Sequence, residues 1–424
     1  MLRQVTGTIA SRVAIAASSL FVSVLAGHNL GAKGLGVIAL VVLGISLIGL
    51  AANLVGGGAL VYLVPRAPLK RLIVPAYAWA VGLSIVGYVV VALLELVPPG
   101  YAVHVAILAL VQSFYNIHLS VLIGQGRIRA HNFITVLQAG VLLIVFASLL
   151  HLGQHDPMAY VKASYVAFVL TLILSTVAMR AIPPRLPYAG GAVFQMLLRQ
   201  GAYVQSANAM QLLNYRAAYW LIDKFFPKEG GLLGVYSIAT QLSESAWLAP
   251  KSLGMILYSR VSNTADPAEQ RSLTLTLLKA AVGSALAVVV VFLLLPEVVF
   301  TWAFGKEIVG LFPVMLLLAP GILAMAASQA FSHYFSGTGQ NRHNVTGSGL
   351  GLLATVVAGV TLVPVFGLEG AAVTATLAYV ANALYQTVVF MQITDARWHE
   401  LLPSMADVAR LKRLFTSRAA GTLR

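Results

Sequence analysis

A few polar and charged side chains interrupt an otherwise apolar chain, and these are the residues that could do chemistry. Gln205, Asn208, Arg216, Tyr219 and Asp223 stand three, four, seven or eight residues apart, which places them on one face of a helix. An arginine offers forked donors that suit phosphate or carboxylate. Arg216 is therefore the first candidate for contact with an anionic substrate. The alternative role for Arg216 is an ion pair with Asp223.

Other ionisable or amide residues also fall inside apolar stretches, where such groups usually face a cavity or a partner. The candidate substrate-binding cations are Arg12, Arg216, Lys251 and Lys279. The candidate cavity or coupling residues are Gln205, Asn208, Asp223, Glu244, Asn53 and Gln329. Because these cations outnumber the well-buried acids, a cleft that they line would attract an anion.

Each of these roles has a structural alternative. Arg12 and Lys279 could extend their charge to the membrane surface along their flexible stems. Glu244 could bind a coupling proton or sodium ion, or it could form a structural salt bridge to Lys251 or Arg216. The histidines within spans have no metal-site spacing, and the sequence has no cysteine, so no metal, cofactor or catalytic residue is predicted.

The composition determines which elements must hold these residues. Of the 424 residues, 59% are hydrophobic and only 9% are charged, whereas soluble domains carry roughly 25% charged residues. A soluble protein is excluded. Arg12 interrupts the first apolar stretch and further spans follow at once, which argues against a cleaved signal peptide.

Hydropathy predicts an all-α, polytopic membrane protein with about twelve transmembrane helices. The expected spans are 5–26, 35–62, 72–96, 102–123, 132–150, 160–179, 201–222, 232–258, 273–295, 312–335, 345–364 and 371–392. Lys and Arg concentrate at the amino terminus, in alternate loops and in the carboxy-terminal tail. The positive-inside rule then puts both termini in the cytoplasm, in a bacterial inner membrane. This topology, rather than nucleic-acid binding, accounts for the net charge of +14.

Short internal repeats indicate two similar halves. The fourth span ends in Gly124-Gln125-Gly126-Arg127-Ile128-Arg129 and the tenth in Gly337-Thr338-Gly339-Gln340-Asn341-Arg342, while Tyr165-Val166-Ala167 in the sixth span matches Tyr379-Val380-Ala381 in the twelfth. Two six-helix lobes related by a pseudo-two-fold axis along the membrane normal are predicted. Each Gly-x-Gly is interpreted as a helix cap rather than a nucleotide-binding loop.

The expected domain organisation follows from these halves. The amino-terminal lobe spans 1–182, a cytoplasmic connection spans 183–200, and the carboxy-terminal lobe spans 201–395. A basic cytoplasmic tail spans 396–424. Apolar and basic residues alternate at helical spacing in this tail, which suits either a helix on the inner membrane surface or a disordered solubilising segment.

Three segments resemble the Wzx-type oligosaccharide flippases of the MATE-like (MOP) superfamily. Leu30-Gly31-Ala32-Lys33-Gly34-Leu35-Gly36 is similar to the early L-G-x-x-x-x-G of that family. Leu233-Gly234-Val235-Tyr236-Ser237-Ile238-Ala239 is similar to its L-G-x-Y-S-x-A segment, and Pro364, Gly367, Gly370, Ala371 and Ala372 to its late P-x-x-G-x-x-G-A-A turn. The resemblance implies an alternating-access flippase that carries undecaprenyl-pyrophosphate-linked oligosaccharide from the cytoplasmic to the periplasmic leaflet for surface polysaccharide biosynthesis. It also implies the bilayer, the lipid-linked glycan, and a polymerase and glycosyltransferases as partners, with no nucleic acid.

Two other functions stay open at this point. A MATE-like, ion-coupled exporter of small organic molecules would need buried carboxylates for a cationic drug, and the sequence offers few. A membrane glycosyltransferase or polymerase would need catalytic groups on sizeable external loops, and the predicted external loops are short. A non-enzymatic transporter, coupled to protons or sodium ions if at all, is therefore predicted.

Overall fold

Helices account for all the regular structure of the described chain. The computed structural model describes residues 2–64, 67–179, 193–227, 231–264 and 266–402, and these contain helices and no strand. The helices are α1 (Leu2–Gly56), α2 (Gly58–Leu63), α3 (Leu69–Leu93), α4 (Ala102–Gly124), α5 (Ile128–His151), α6 (Met158–Ala178), α7 (Val193–Phe225), α8 (Gly231–Ser245), α9 (Leu248–Val261), α10 (Pro267–Leu294), α11 (Glu297–Phe304), α12 (Leu311–Gly337), α13 (Arg342–Thr394) and α14 (Trp398–Leu401).

Two of the helices are each long enough for two membrane crossings. The α1 helix has 55 residues and α13 has 53, whereas about 20 residues cross a bilayer. Each is broken at one glycine in the left-handed region, Gly31 (φ 66°) in α1 and Gly367 (φ 53°) in α13. Glycine adopts this backbone conformation without the steric cost that a β-carbon brings. The loops predicted between the paired spans are therefore sharp breaks inside one helix.

The helices reproduce the twelve predicted spans. Eight helices are long and apolar enough to cross a membrane. Because α1 and α13 are each broken into two crossings, these eight helices supply ten spans. The polar helix α7 and the short consecutive helices α8 and α9 supply the seventh and eighth spans. The chain is an all-α, multi-pass membrane protein.

The single helix predicted over 232–258 is wrong, because two helices occupy that range. The α8 helix ends at Ser245 and α9 begins at Leu248. Pro250 has no N–H to donate to the carbonyl four residues earlier, so the α-helical ladder is interrupted before it. Glu244 and Lys251, predicted to share one helical face, consequently lie on different helices.

The chain divides into two units, each with its own core. Unit 1 comprises Met1–Ala209, Phe226–Ile238 and Val298–Val309, and unit 2 comprises Met210–Phe225, Ala239–Glu297 and Gly310–Arg424. The predicted lobe borders at 182 and 201 stay predictions. Of the predicted tail, residues 403–424 lie outside the described residues, and the described part contains only α14.

Apolar side chains from several helices fill each core. In unit 1 the helices α1 to α4 contribute Val55, Leu60, Leu72, Ile117 and Val121. In unit 2 the helices α9, α10, α12 and α13 contribute Leu257, Leu277, Phe331, Phe335 and Phe390. Each unit thus has an interior that can anchor polar side chains on its helices.

The repeated Gly-x-Gly segments are helix caps, as the sequence predicts. Gly126 (φ 75°) follows α4 and Gly339 (φ 78°) follows α12, both in the left-handed region. In each case the next amide N–H donates to a carbonyl five residues earlier, at 2.8 Å from Arg127 and 2.7 Å from Gln340. This is the Schellman pattern of a glycine C-cap. The two copies therefore do the same structural job in the two units.

Candidate functional site

An ion pair joins α7 to α8 within unit 2. Arg216 Nη1 donates to Glu244 Oε1 at 2.9 Å, and Nη2 donates to Glu244 Oε2 at 3.1 Å. The geometry is bidentate, which is the strongest arrangement of an arginine and a carboxylate. The two side chains are 26% and 22% exposed. The pair is therefore largely enclosed by protein, yet other molecules can still reach it.

Hydroxyl groups extend this pair into a network. Arg216 Nη1 also donates to the Tyr219 hydroxyl at 2.9 Å, and its guanidinium lies 5.0 Å from the centroid of that ring. The Tyr219 hydroxyl in turn lies 2.6 Å from the Thr240 hydroxyl. Tyr219 and Thr240 are both buried. Fixed partners on two helices thus hold the guanidinium in place, facing Glu244.

A cluster of aromatic rings lies beside the network, with Trp247 and Tyr379 buried and Tyr215 half-buried. The ring centroid of Tyr215 is 5.3 Å from that of Trp247 and 5.5 Å from that of Tyr379, and Trp247 Nε1 donates to the Ile322 carbonyl at 3.0 Å. Lys251 is exposed, and its ammonium lies 5.7 Å from the centroid of the Trp247 ring within cation–π range. The Lys251 ammonium therefore lies against a ring that is itself completely buried.

The amide residues of the predicted cavity form a separate cluster in unit 1. Gln205 is buried, and its Nε2 donates to the Asn53 carbonyl at 3.3 Å. Asn208 Nδ2 donates to Gln205 Oε1 at 3.3 Å, and the Asn208 side chain is exposed. The first part of α7 thus carries neutral hydrogen-bonding groups, while its second part carries the ion pair.

The remaining predicted site residues lie apart from both clusters. Arg12 is exposed on α1, whereas Lys279 on α10 and Asp223 near the end of α7 are half-buried. Gln329 on α12 is only 9% exposed, and within the described part of the chain neither polar atom of its amide has a hydrogen-bond partner. A buried amide of this kind requires a partner such as water. Gln329 therefore stays a candidate for a polar cavity residue.

The structure selects among the pairings that the sequence left open. Arg216 pairs with Glu244, which was one alternative for Glu244, and the suggested partner Asp223 has no ion pair with it in the described residues. Trp247, Tyr215 and Tyr379 were not among the predicted site residues. One signal was available, since Trp247 stands three residues before Pro250, where a helix break is expected.

Side chains that could hold a metal ion do not converge. In the described ranges no group of three or more His, Asp, Glu or Cys side chains comes together. The side chains that the described site brings together offer charged and hydrogen-bonding groups.

The fold is that of transporters of the MOP superfamily. A multidrug resistance MATE family transporter in an inward-facing conformation matches with a TM-score of 0.69 at 15% identity, over 89% of this chain and 94% of that chain. A MOP superfamily transporter from Pyrococcus furiosus, described as having a binding pocket of reverse polarity that suggests a different function, matches with a TM-score of 0.64 at 15% identity, over 93% and 95% of the two chains.

A mutant of a MATE transporter from Vibrio cholerae matches with a TM-score of 0.64 at 13% identity, over 95% of this chain and 98% of that chain. No family model matches the sequence, and no curated protein matches it. At these low identities the structural likeness establishes the fold, and the substrate has to be argued from the side chains of this chain.

Proposed function

We propose that this protein is an alternating-access flippase for a lipid with an anionic head group, namely an undecaprenyl-pyrophosphate-linked oligosaccharide. It would move the head group from the cytoplasmic to the periplasmic leaflet of the bacterial inner membrane, with both termini in the cytoplasm. The transporter fold and the resemblance of its sequence segments to Wzx-type flippases support this proposal.

The observation that carries the proposal is the state of Glu244. Glu244 lies in the last turn of α8, and Arg216 donates to both of its carboxylate oxygens. Asp223 lies in the last turn of α7, and Glu369 lies two residues after the break in α13. The Glu244 carboxylate, to which a cationic substrate could bind, is therefore already held by Arg216, whereas the Lys251 side chain is exposed on the neighbouring helix.

The ion pair also suggests how a phosphate could be bound and released. A phosphate presents the same two-oxygen edge to a guanidinium as a carboxylate does. A substrate phosphate could therefore replace Glu244 at Arg216, and a proton or sodium ion on Glu244 would favour that exchange. Transport would then be coupled to the proton or sodium ion, because Glu244 and the substrate compete for the same guanidinium.

The proposed role also agrees with the physics of the substrate. Sugars and pyrophosphate are very costly to transfer into hydrocarbon, whereas a polyprenyl tail is soluble in it. A carrier for such a lipid has to enclose only the head group. Hydrogen-bonding groups such as Gln205 and Asn208 suit the hydroxyls of a glycan.

The test is head-group translocation by purified protein in liposomes. A fluorescent polyprenyl-pyrophosphate oligosaccharide would be placed in both leaflets, and its outward movement would be followed by quenching with an impermeant reductant. We expect Arg216→Ala to slow translocation by roughly tenfold or more, since a lost charge-assisted contact is worth about 1.5–3 kcal/mol. Arg271→Ala is the matched control, because Arg271 also forms an ion pair but lies near the start of α10.

Translocation at the parental rate by Arg216→Ala, expressed and folded like the parent, would contradict the role of Arg216. Lys251→Ala tests the exposed ammonium in the same way. No translocation of the lipid-linked glycan by the parent protein would contradict the proposed function as a whole.

A MATE-like exporter of small organic molecules is the second candidate, because its structural support is equally good. The solved structure with a TM-score of 0.69 is a multidrug resistance transporter. Ethidium movement in the same liposomes, driven by a proton or sodium gradient, separates the two functions. Cation movement without glycan translocation would favour the exporter, and a deletion strain would then show altered drug resistance with normal surface glycan.

A further inference from the structure

One short segment belongs by its contacts to unit 1 although both of its neighbours in sequence belong to unit 2. This α11 strap, defined as Val298–Val309, groups with unit 1, while Glu297 and Gly310 on either side group with unit 2. The strap contains most of α11 and connects the end of α10 to the start of α12. Its position therefore depends on what it contacts within unit 1.

The strap is bound at the break in α1. Glu307 Oε2 accepts a hydrogen bond from the Ala32 N–H at 3.0 Å, one residue after the break at Gly31. A helix that restarts after a break has free N–H groups in its first turn, and a carboxylate there satisfies them and complements the helix dipole. A β-carbon on Gly31 would lie 2.2 Å from Glu307 Oε2, so the carboxylate occupies the space that the glycine leaves.

The backbones of the two segments also touch. His28 Nε2 donates to the Trp302 carbonyl at 2.8 Å. A β-carbon on Gly27 would lie only 2.0 Å from the Phe304 carbonyl oxygen. Phe304 and Ile308 are buried. A hydrogen bond and close backbone contacts therefore hold the strap against the turn of α1 that precedes the break.

The two ends of the strap form a narrow neck. Glu297 Oε1 accepts from the Gly310 N–H at 2.8 Å, so the residues on either side of the strap are hydrogen-bonded to each other. Pro296 precedes the neck, and Gly305 (φ 102°) and Gly310 (φ 82°) both adopt left-handed backbone. Such residues allow the chain to change direction sharply, which is typical of hinge positions.

We propose that the α11 strap is a releasable latch of the transport cycle, with Glu307 as the residue that holds it on the break of α1. The strap is covalently continuous with α10 and α12 of unit 2 and bound non-covalently to α1 of unit 1. Movement that separates this end of the helices requires the strap to leave α1 or to swing at its neck. This inference rests on the proposed function, since it assigns the strap a step in that cycle.

Release of the strap can be measured without any substrate. The sequence has no cysteine, so Ala32→Cys introduces a single thiol, at a buried position, on the residue whose N–H donates to Glu307. We expect Glu307→Ala to raise the rate at which a maleimide labels this thiol by roughly tenfold or more, because a charge-assisted hydrogen bond is lost. Glu307→Gln, which keeps an acceptor oxygen, should stay within about threefold of the parent, in line with the smaller worth of a neutral bond.

Ala159→Cys serves as the control thiol, because it is also buried at the first turn of a unit 1 helix but is not part of the strap contacts. Its labelling should not change with Glu307→Ala. If Glu307→Ala leaves the labelling rate of the Ala32→Cys thiol unchanged, the latch is overturned.

A locked strap provides the second arm. The double variant Ala32→Cys/Glu307→Cys, joined by a short bifunctional thiol reagent, should lose at least about nine-tenths of translocation and regain it when a reducible reagent is cleaved. Gln154→Cys/Lys162→Cys is the matched pair, since those side chains are also hydrogen-bonded, at 2.9 Å, but both belong to unit 1 outside the strap.

The two arms separate failure of the latch from failure of the proposed function. Undiminished glycan translocation by the locked strap would overturn the latch and leave the function intact. If the parent protein translocates no lipid-linked glycan, the proposed function fails, and the labelling rates alone then decide whether Glu307 holds the strap.

Discussion

Replacing Glu244 by glutamine leaves the guanidinium of Arg216 without its carboxylate. Two hydrogen bonds of 2.9 and 3.1 Å change from charged to neutral or are lost, and an uncompensated charge remains in a largely enclosed site. Breaking a fully buried pair costs about 3–5 kcal/mol. Because about a quarter of each side chain is still exposed, we expect roughly 2–3 kcal/mol for Glu244→Gln.

A double-mutant cycle measures how much of this cost belongs to the pair. Arg216→Met should destabilise unit 2 by about the same amount as Glu244→Gln, and the double variant should lose hardly more than either single variant. The coupling free energy expected is about 2 kcal/mol, within the range for charged pairs in contact. The assay is reversible unfolding by SDS in mixed micelles, followed by tryptophan fluorescence, to which Trp247, whose backbone N–H donates to the Glu244 carbonyl at 3.0 Å, contributes.

Arg271 and Glu400 provide a matched pair for this cycle. They form an ion pair of similar exposure, 28% and 32%, near the start of α10 and in α14. Solvent at the ends of helices screens such a pair, so its coupling should be about 1 kcal/mol or less. The cycle could also show that the two residues act independently. If the losses of unfolding free energy in the two single variants sum to the loss in the double variant within about 0.5 kcal/mol, this pair does not couple α7 to α8.

Three further predictions follow from individual contacts. Gly31→Ala should cost about 1–3 kcal/mol of unfolding free energy, because a left-handed backbone (φ 66°) and a β-carbon 2.2 Å from a carboxylate oxygen both oppose it. Trp247→Phe should cost about 1–3 kcal/mol in the same assay, since a buried backbone carbonyl of α12 loses its 3.0 Å donor. The backbone N–H of Arg397, and then the Arg271 guanidinium, lower the pKa of Glu400. Stability from this carboxylate should be present at neutral pH and be lost as the pH falls through its lowered pKa; Glu400→Gln should reduce that pH dependence in unfolding measured from pH 7 to pH 3.

Each of these predictions has a result that contradicts it. Gly283→Ala is the control for Gly31→Ala, because Gly283 lies inside α10 with open space around it, and there alanine should be neutral or stabilising. Equal effects of the two substitutions would contradict the role of the break. Stability of Trp247→Phe within about 0.5 kcal/mol of the parent would contradict the role of the indole donor. Identical pH profiles for the parent and Glu400→Gln would contradict the third prediction.

The number and length of the membrane spans could be predicted from the sequence because hydrocarbon leaves the backbone few options. Every N–H and C=O must be satisfied within the segment, so apolar stretches of about 20 residues become helices. The glycine caps at Gly126 and Gly339 were equally accessible, since a local backbone conformation selects them. Pro250 could have predicted the break between α8 and α9, because it acts on its own helix.

The partners of the charged residues could not be predicted in this way. Periodicity along α7 placed Arg216 near Asp223, but it carries no information about a carboxylate 28 residues away on the next helix. Packing of the two helices brought Glu244 to Arg216, and this paired an apparently free cation with a carboxylate. The members of the candidate site stay predictions, and the sequence left their pairings undetermined.

What the sequence alone determined about this protein is local: which segments cross the membrane, where helices end, and which charges lie inside the spans. The tertiary structure decided which of those charges neutralise each other and what occupies the break in α1. Glu307 and Ala32 are 275 residues apart, and Glu307 lies in a connection between helices where no periodic pattern applies. Hydropathy and helical spacing report on the surroundings of one helix, whereas a contact over that distance exists only once the whole chain has packed.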